Sequence, residues 1–186
     1  MAHLNPDHPI RSLLVLGGAR SGKSRYAQRL AEASGRLPVL VATAQAHDAE
    51  MAARIARHAA GRDARWTLIE EPIALAETLR REGREDRILV VDCATLWLSN
   101  LLLRGDDLFG ATDELTQIAA RLAGPVIFVS NEVGQGIVPE NAVARGFRDA
   151  QGWLNQALAE ACEAAVLVSA GLAILLKPAT EPRFTL

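Results

Sequence analysis

The stretch Gly17-Gly18-Ala19-Arg20-Ser21-Gly22-Lys23-Ser24 has the spacing G-x-x-x-x-G-K-[ST], and those residue types suit the phosphates of a nucleoside triphosphate. Glycines let backbone N–H groups turn inward around an anion, and the start of a following helix favours negative charge there. Lys23 can reach the β- and γ-phosphates, while the Ser24 hydroxyl can ligate Mg²⁺. The flanks agree with that use: the apolar run Leu13–Leu16 precedes the loop and a helical pattern follows it. Asp92 directly follows the run Ile88-Leu-Val-Val91. An aspartate at the end of a buried strand either caps the next turn or supplies the second Mg²⁺-linked carboxylate of a phosphate-loop protein.

Other residues carry chemistry with less direction. His58 shares a helical face with Met51 and Ile55, beside Arg54, and a histidine on such a helix is commonly just solvated. Cys93 and Cys162 have no metal-ligand spacing and read as reduced, packed thiols. Gly134 and Gly136 suit close approach of backbone to a ligand. Arg145 and Arg148 either hold a phosphate or follow a turn as solvated side chains. Trp66, Trp97 and Trp153 read as core or subunit packing before they read as stacking platforms.

Short β-rich apolar runs alternate with longer alanine-rich amphipathic stretches, the pattern of strands feeding helices. Strands are expected at Leu13–Leu16, Val39–Thr43, Thr67–Glu70, Ile88–Val91, Val126–Ser130 and Ala165–Ser169, with a last one at Leu172–Leu176. Helices are expected at Gly22–Ser34, Glu50–Ala60, Ile73–Glu82, Leu96–Leu103, Asp113–Leu122 and Ala142–Glu163. Gly35, Gly61, Gly83 and Gly124 fall where helices should stop. Near-continuous apolar strands suit a mainly parallel sheet covered on both faces, hence a three-layer α/β fold of the P-loop NTPase type. With 186 residues, one domain over 13–177 is expected, with loose tails at 1–12 and 178–186.

Composition excludes some partners. Hydrophobic residues at 49% and charged ones at 23% are ordinary for a globular protein, and a formal charge of −2 offers no basic field for nucleic acid. Residues 1–12 are polar, carry two prolines and lack an apolar leader segment, and His3 and His8 there read as solvated. The longest apolar run, Ala164–Leu176, is too short for the roughly 20 residues that span a bilayer, so no membrane span and a cytoplasmic location are expected. A regulatory GTPase fits poorly. Asp107–Gly110 and Asp149–Gly152 spell D-x-x-G, yet neither follows a strand, and Asn131-Glu-Val-Gly134 lacks the Lys and Asp of a guanine-reading N-K-x-D.

The segments GGARSGKS, Asp48-x-Glu-Met…Arg-Ile-x-x-His58, Asp92-Cys-x-Thr-Leu-Trp-Leu-Ser-Asn-Leu-Leu102 and Ser130-Asn-Glu-Val-Gly-Gln-Gly-Ile-Val-Pro139 occur in that order. They are followed by Arg145-Gly-Phe-Arg-Asp149 and Asn155-Gln156. Together they resemble the bifunctional adenosylcobinamide kinase / adenosylcobinamide-phosphate guanylyltransferase family of cobalamin biosynthesis, over about Leu13 to Lys177. The resemblance implies a RecA-like fold, a homotrimer, Mg²⁺, and ATP or GTP as substrates alongside adenosylcobinamide and its phosphate. It implies that His58 carries GMP as a covalent intermediate, with Gly17–Ser24 as the phosphate loop. Ala42, Thr43 and Ala44 match a strand end that contacts GTP, and Ala59, Ala60, Gly61, Arg62, Glu70 and Asp92 match further GTP contacts. Some relatives carry Glu at position 92, where either carboxylate serves. Two other readings remain beside it: a P-loop kinase for another small alcohol, and a nucleotide-responsive binding protein. His58 separates the first from the family reading, and turnover with a corrinoid acceptor separates the second.

Overall fold

The computed structural model describes residues 10–45 and 64–178. Strand β1 (Ser12–Gly17) is followed by α1 (Lys23–Ala33) and β2 (Leu37–Ala42). Beyond residue 63 come β3 (Thr67–Glu70), α2 (Leu75–Glu82), β4 (Arg87–Asp92), α3 (Ala94–Arg104) and α4 (Leu108–Ala119). The chain continues through β5 (Val126–Asn131), α5 (Ala142–Ala161), β6 (Ala164–Ser169) and β7 (Leu172–Lys177). All seven expected strands form, each within two residues of its expected limits. The expected helix Glu50–Ala60 and the stop at Gly61 lie outside the described residues, as do His3, His8 and most of both expected tails. The N-terminal tail ends earlier than expected: Ser12 already belongs to β1, and the Arg11 N–H donates to Glu163 Oε2 at 2.8 Å.

The strands form one sheet in the order β3-β2-β4-β5-β1-β6-β7. Every pairing is parallel except β6 with β7. Side chains alternate across each strand, and in the inner strands both faces are apolar, so both must be covered. Leu14, Val41, Val91 and Phe128 point to a cluster completed by Leu75 and Leu79 of α2, Trp97 and Leu98 of α3, Leu115 of α4, and Leu154 and Leu158 of α5. Val15, Leu40, Val90 and Val129 point the other way, onto Ala27 and Ala31 of α1. The small alanines let α1 lie close over β1, β4 and β5. The architecture is thus helix, sheet, helix, the expected three layers. Antiparallel β7 closes one edge with Leu172, Ile174, Leu175 and Leu176 exposed.

The fourth helix begins five residues before its expected start, and its cap explains why. Asp107 Oδ1 accepts from the N–H groups of Phe109 and Gly110 at 3.1 and 3.2 Å, which is N-capping. A Cβ on Gly110 would come within 2.6 Å of Asp107 Oδ2, so the glycine makes room for the cap. The Asp107–Gly110 D-x-x-G is therefore a helix start. Asp149–Gly152 lies inside α5.

Candidate functional site

Parallel register brings the carboxyl ends of five strands to one edge of the sheet. Gly17 pairs with Asn131, Ala42 with both Asp92 and Glu70, and Asp92 with Val129. The chain leaving Gly17 turns at once: Ser21 N–H donates to Gly18 O at 3.3 Å, and Arg20 adopts φ 56°. Gly22 has φ 98° and lies close under Gly171, whose Cα a Cβ at position 22 would approach to 3.0 Å. Both facts require glycine there. A Cβ on Gly17 would meet Ser21 Oγ at 2.5 Å and Val168 O at 2.6 Å, so that glycine allows the loop to fold back on its strand.

Helix α1 starts at Lys23 with Gly22 as its N-cap and no side chain capping it. The N–H groups of a first helical turn lack intrahelical partners, and here they are offered to whatever lies above the loop. Lys23 is buried, its ammonium donating to Gly18 O at 3.1 Å across the loop it would serve. Ser24 Oγ donates to Asp92 Oδ1 at 3.3 Å. The two groups expected to share Mg²⁺ are therefore adjacent, although 68 residues separate them in the chain. Two hard oxygens, one of them anionic, fit an ion that takes one or two carboxylates plus substrate phosphates and keeps several waters. Among the described residues no cluster of three or more His, Cys, Asp or Glu forms.

Beside this pair, Thr43 joins two strand ends. Its hydroxyl donates to Cys93 O at 2.7 Å and accepts from Cys93 N–H at 2.9 Å. Its backbone N–H donates to Asp92 O at 3.3 Å, and its carbonyl accepts from Asn100 Nδ2 at 2.9 Å. Thr43 is fully buried. Its hydroxyl, N–H and carbonyl are thus all engaged inside the protein. Glu70 is exposed at the end of β3. Four strand intervals separate β3 from β1, roughly 19 Å at about 4.8 Å each, so the fold does not bring Glu70 to the phosphate loop. His58, Ala59, Ala60, Gly61 and Arg62 lie outside the described residues.

A second buried polar group supports the end of β5. Ser130 Oγ donates to Asn155 Oδ1 at 2.7 Å, and Gln151 Nε2 donates to both Ser130 Oγ and Asn155 Oδ1 at 2.9 Å. Thr95 Oγ1 accepts from Asn131 N–H at 2.8 Å, and Asn155 Nδ2 donates to Asn131 O at 3.0 Å. Sequence reasoning missed Gln151, Thr95 and Asn100 as supports of the site. Gln151 and Asn155 did leave a signal: an i, i+4 polar pair on the same helix as the core residues Leu154 and Leu158.

After Asn131 the chain stays next to the phosphate loop, since Glu132 N–H donates to Gly17 O at 3.1 Å. Arg148 Nη2 donates to Gly134 O at 2.5 Å, and Arg145 Nη1 to Pro139 O and Glu140 O at 3.0 and 2.5 Å. The two arginines brace the loop that precedes their own helix, a role neither sequence alternative included. Trp97 is core, its indole N–H donating to Ile73 O at 2.8 Å. Trp66 donates to Glu32 Oε1 at 3.2 Å, and Trp153 packs on Phe109 at the surface with ring centroids 4.7 Å apart. Cys93 and Cys162 are buried thiols without a disulfide. Burial pushes Cys93 up to about 11, with the Asp92 charge adding to it, and pushes Cys162 up to about 12. A depression of about 350 Å³ lined by Arg11, Arg121, Leu122 and Glu163 sits at the amino end of β1 and shares no residue with this edge.

Comparison with known proteins agrees with the geometry. Residues 13–176 match the family model described as cobinamide kinase / cobinamide phosphate guanyltransferase. The chain is 52% identical over 166 residues to the bifunctional adenosylcobalamin biosynthesis protein CobP of Pseudomonas aeruginosa, covering 88% of this chain and 96% of that one. It is 37% identical over 180 residues to the bifunctional adenosylcobalamin biosynthesis protein CobU of Escherichia coli, covering 89% and 99%. Among solved structures, the RadB recombinase superposes with a TM-score of 0.50 at 18% identity, covering 84% of this chain and 73% of that one, a likeness of fold alone. No helix among the described residues is long and apolar enough to cross a membrane.

Proposed function

The chain belongs to the cobinamide kinase / cobinamide phosphate guanyltransferase family, and from that premise we propose the following division of labour among its residues. It is a bifunctional enzyme that phosphorylates cobinamide and then guanylylates the phosphate. Adenosylcobinamide is the acceptor, ATP or GTP is the phosphoryl donor, and GTP supplies the GMP. The observation that carries this reading is the phosphate loop assembled against Asp92, with Ser24 Oγ on Asp92 Oδ1.

In the kinase step the backbone N–H groups of Gly17–Ser24 hold the donor phosphates and Lys23 neutralises charge on the β- and γ-phosphates. Ser24 and Asp92 would hold Mg²⁺, which would supply positive charge to offset the charge developing on the phosphates. The acceptor hydroxyl bonds to the γ-phosphorus, the bond to the β-phosphate oxygen breaks, and the hydroxyl proton passes to solvent. In the guanylyl step a ring nitrogen of His58 attacks the α-phosphorus of GTP and pyrophosphate leaves. An oxygen of the corrinoid phosphate then takes the GMP and frees the histidine. Covalent capture splits one difficult displacement into two, and a histidine with a pKa near about 6.5 has a free ring nitrogen at neutral pH. Ala42, Ala44, Ala59, Ala60, Gly61, Arg62 and Glu70 complete the contacts with GTP. Glu70, remote from the phosphate loop, serves the end of a nucleotide far from its γ-phosphate. Thr43 holds the strand ends in place beneath these contacts.

The enzyme acts in the cytoplasm as a homotrimer without nucleic acid; the exposed apolar edge of β7 is consistent with self-association. Light scattering that returned a monomer would end the trimer proposal. The chemical test uses α-labelled GTP with Mg²⁺. One GMP should attach to the protein within Ile55–Arg62 through a bond that is labile in acid and stable in base. His58→Ala should abolish labelling while retaining part of the kinase activity. Stable labelling of that variant would remove His58 from the mechanism. Failure of wild type to convert adenosylcobinamide with GTP would overturn the whole reading.

A further inference from the structure

Asn131 stands where none of the roles above uses it. It ends β5, which lies between β4 and β1 in the sheet. Alternation along β5 turns Ser130 toward α5, where its hydroxyl donates to Asn155, and turns Ile127 and Val129 toward α1. Asn131 continues the Ile127 and Val129 series on the α1 side. On one neighbouring strand Asp92 continues Ile88 and Val90 toward the same side, and on the other Gly17 is the register partner of Asn131. Asp92 is the register partner of Val129, two residues short of Asn131 on the next strand, so the Asn131 side chain stands roughly 7 Å beyond Asp92 along the strand direction and directly beside the first residue of the phosphate loop.

Its backbone is held on both sides, by Thr95 Oγ1 on the N–H and Asn155 Nδ2 on the carbonyl. Its side chain is half-buried and makes no hydrogen bond to any described residue. The neighbouring polar side chains Thr43, Asp92, Thr95, Ser130 and Asn155 are all engaged. An amide with two donors, carried on a backbone held at both sides and left without a protein partner beside a phosphate loop, is suited to donate to an anion.

We propose that Asn131 is a catalytic residue of the kinase step, donating its side-chain N–H to the phosphoryl group in flight between donor nucleotide and acceptor hydroxyl. This rests on the reading of Gly17–Ser24 as the phosphate site. The acceptor oxygen–phosphorus bond forms, the bond to the β-phosphate oxygen breaks, and Asn131 neither gains nor loses a proton.

Asn131→Ala and Asn131→Asp test it. In Asn131→Ala, kinase kcat should fall about 10- to 100-fold while KM for the donor changes less than about threefold. The nucleoside diphosphate with aluminium fluoride, a mimic of the transferring group, should bind more weakly by a similar factor, and the diphosphate alone should bind as to wild type. Asn131→Asp should lose more, because a carboxylate would face phosphoryl oxygens. The alanine variant should melt within about 2 °C of wild type, since no side-chain bond is lost. A kcat within about twofold of wild type would overturn the proposal. So would a loss of kcat matched by an equal loss of diphosphate binding or by a lower melting temperature, which would make Asn131 structural. An inactive wild-type protein would instead overturn the functional reading on which the proposal stands.

Discussion

Thr43→Val removes one oxygen and keeps the shape of the side chain, which makes it a sharp probe of how the strand ends are held. The hydroxyl of Thr43 donates to Cys93 O at 2.7 Å and accepts from Cys93 N–H at 2.9 Å, and both residues are buried. Valine leaves the buried Cys93 N–H without a partner, while Cys93 O loses one bond and keeps the Trp97 N–H at 3.2 Å. The orphaned donor costs about 1–3 kcal/mol and the second lost bond about 0.5–1.5 kcal/mol, roughly 2–4 kcal/mol together. In a domain of this size 1 kcal/mol corresponds to about 2–4 °C, which places the fall in melting temperature at roughly 5–15 °C. Urea unfolding of both proteins, with the slope unchanged, gives the free-energy difference directly. Affinity of the still-folded variant for GTP at low temperature should change less than about fivefold, because the hydroxyl is turned into the protein. A stability loss below about 0.5 kcal/mol would refute the latch. A large loss of GTP affinity at unchanged stability would return Thr43 to direct contact with the nucleotide.

Lys23→Ala should stay folded by circular dichroism yet lose on the order of 10²–10³-fold in both activities, since its ammonium sits at the phosphate loop, on the carbonyl of Gly18, and not in the apolar core. Full activity in that variant would remove Gly17–Ser24 from the chemistry. Asp92→Asn keeps an acceptor for Ser24 Oγ but loses the anion, so the Mg²⁺ midpoint should rise roughly tenfold, and an unchanged titration would make Asp92 a turn residue only. At pH 8 both thiols should be inert to a disulfide reagent until the protein unfolds, because burial raises Cys93 to about 11 and Cys162 to about 12. The folded state binds those protons more tightly than an unfolded chain with thiols near about 8.5, so their stabilising contribution holds below that pH and is lost as pH rises through 11 to 12. Cys162→Ala should flatten the alkaline fall in melting temperature, and an unaltered profile would rule out this cause.

The strands were legible because burial of both faces leaves little freedom in composition: Ile88-Leu-Val-Val91 can hardly be anything but an inner strand. The phosphate loop was legible for a different reason. Its letters encode backbone requirements, the positive φ of Gly22 and the tight approach at Gly17, which local sequence must satisfy. The start of α4 was missed although its cap was in view, since Asp107 and Gly110 were weighed as a nucleotide motif and not as a helix start. The polar supports were hidden because their partners are distant in the chain: 50 residues separate Thr43 from Cys93, and 36 separate Thr95 from Asn131. Nothing local to Gln151 reveals that it will meet Ser130.

Those distant pairings explain why this edge can act as a site at all. Where parallel strands end, the ladder stops and backbone groups lose their partners, and a buried group left that way is costly. In this chain Thr43, just past β2, together with Thr95 and Asn100 of α3 and Asn155 of α5, takes up those groups from the side. The ends of β2, β4 and β5 are thereby fixed without recourse to the ligand. Binding then need not order the strand ends, so interaction with a nucleotide is free to act on the transferring group. The loop from Glu132 to Asn141 is held by the same logic, through Arg145 and Arg148 on its carbonyls and the Glu132 N–H on Gly17. A chain that satisfies these strand ends from within, yet leaves the Asn131 amide without a partner among the described residues and the first turn of α1 without a side-chain cap, keeps its spare hydrogen-bond donors at the edge where the phosphate loop lies.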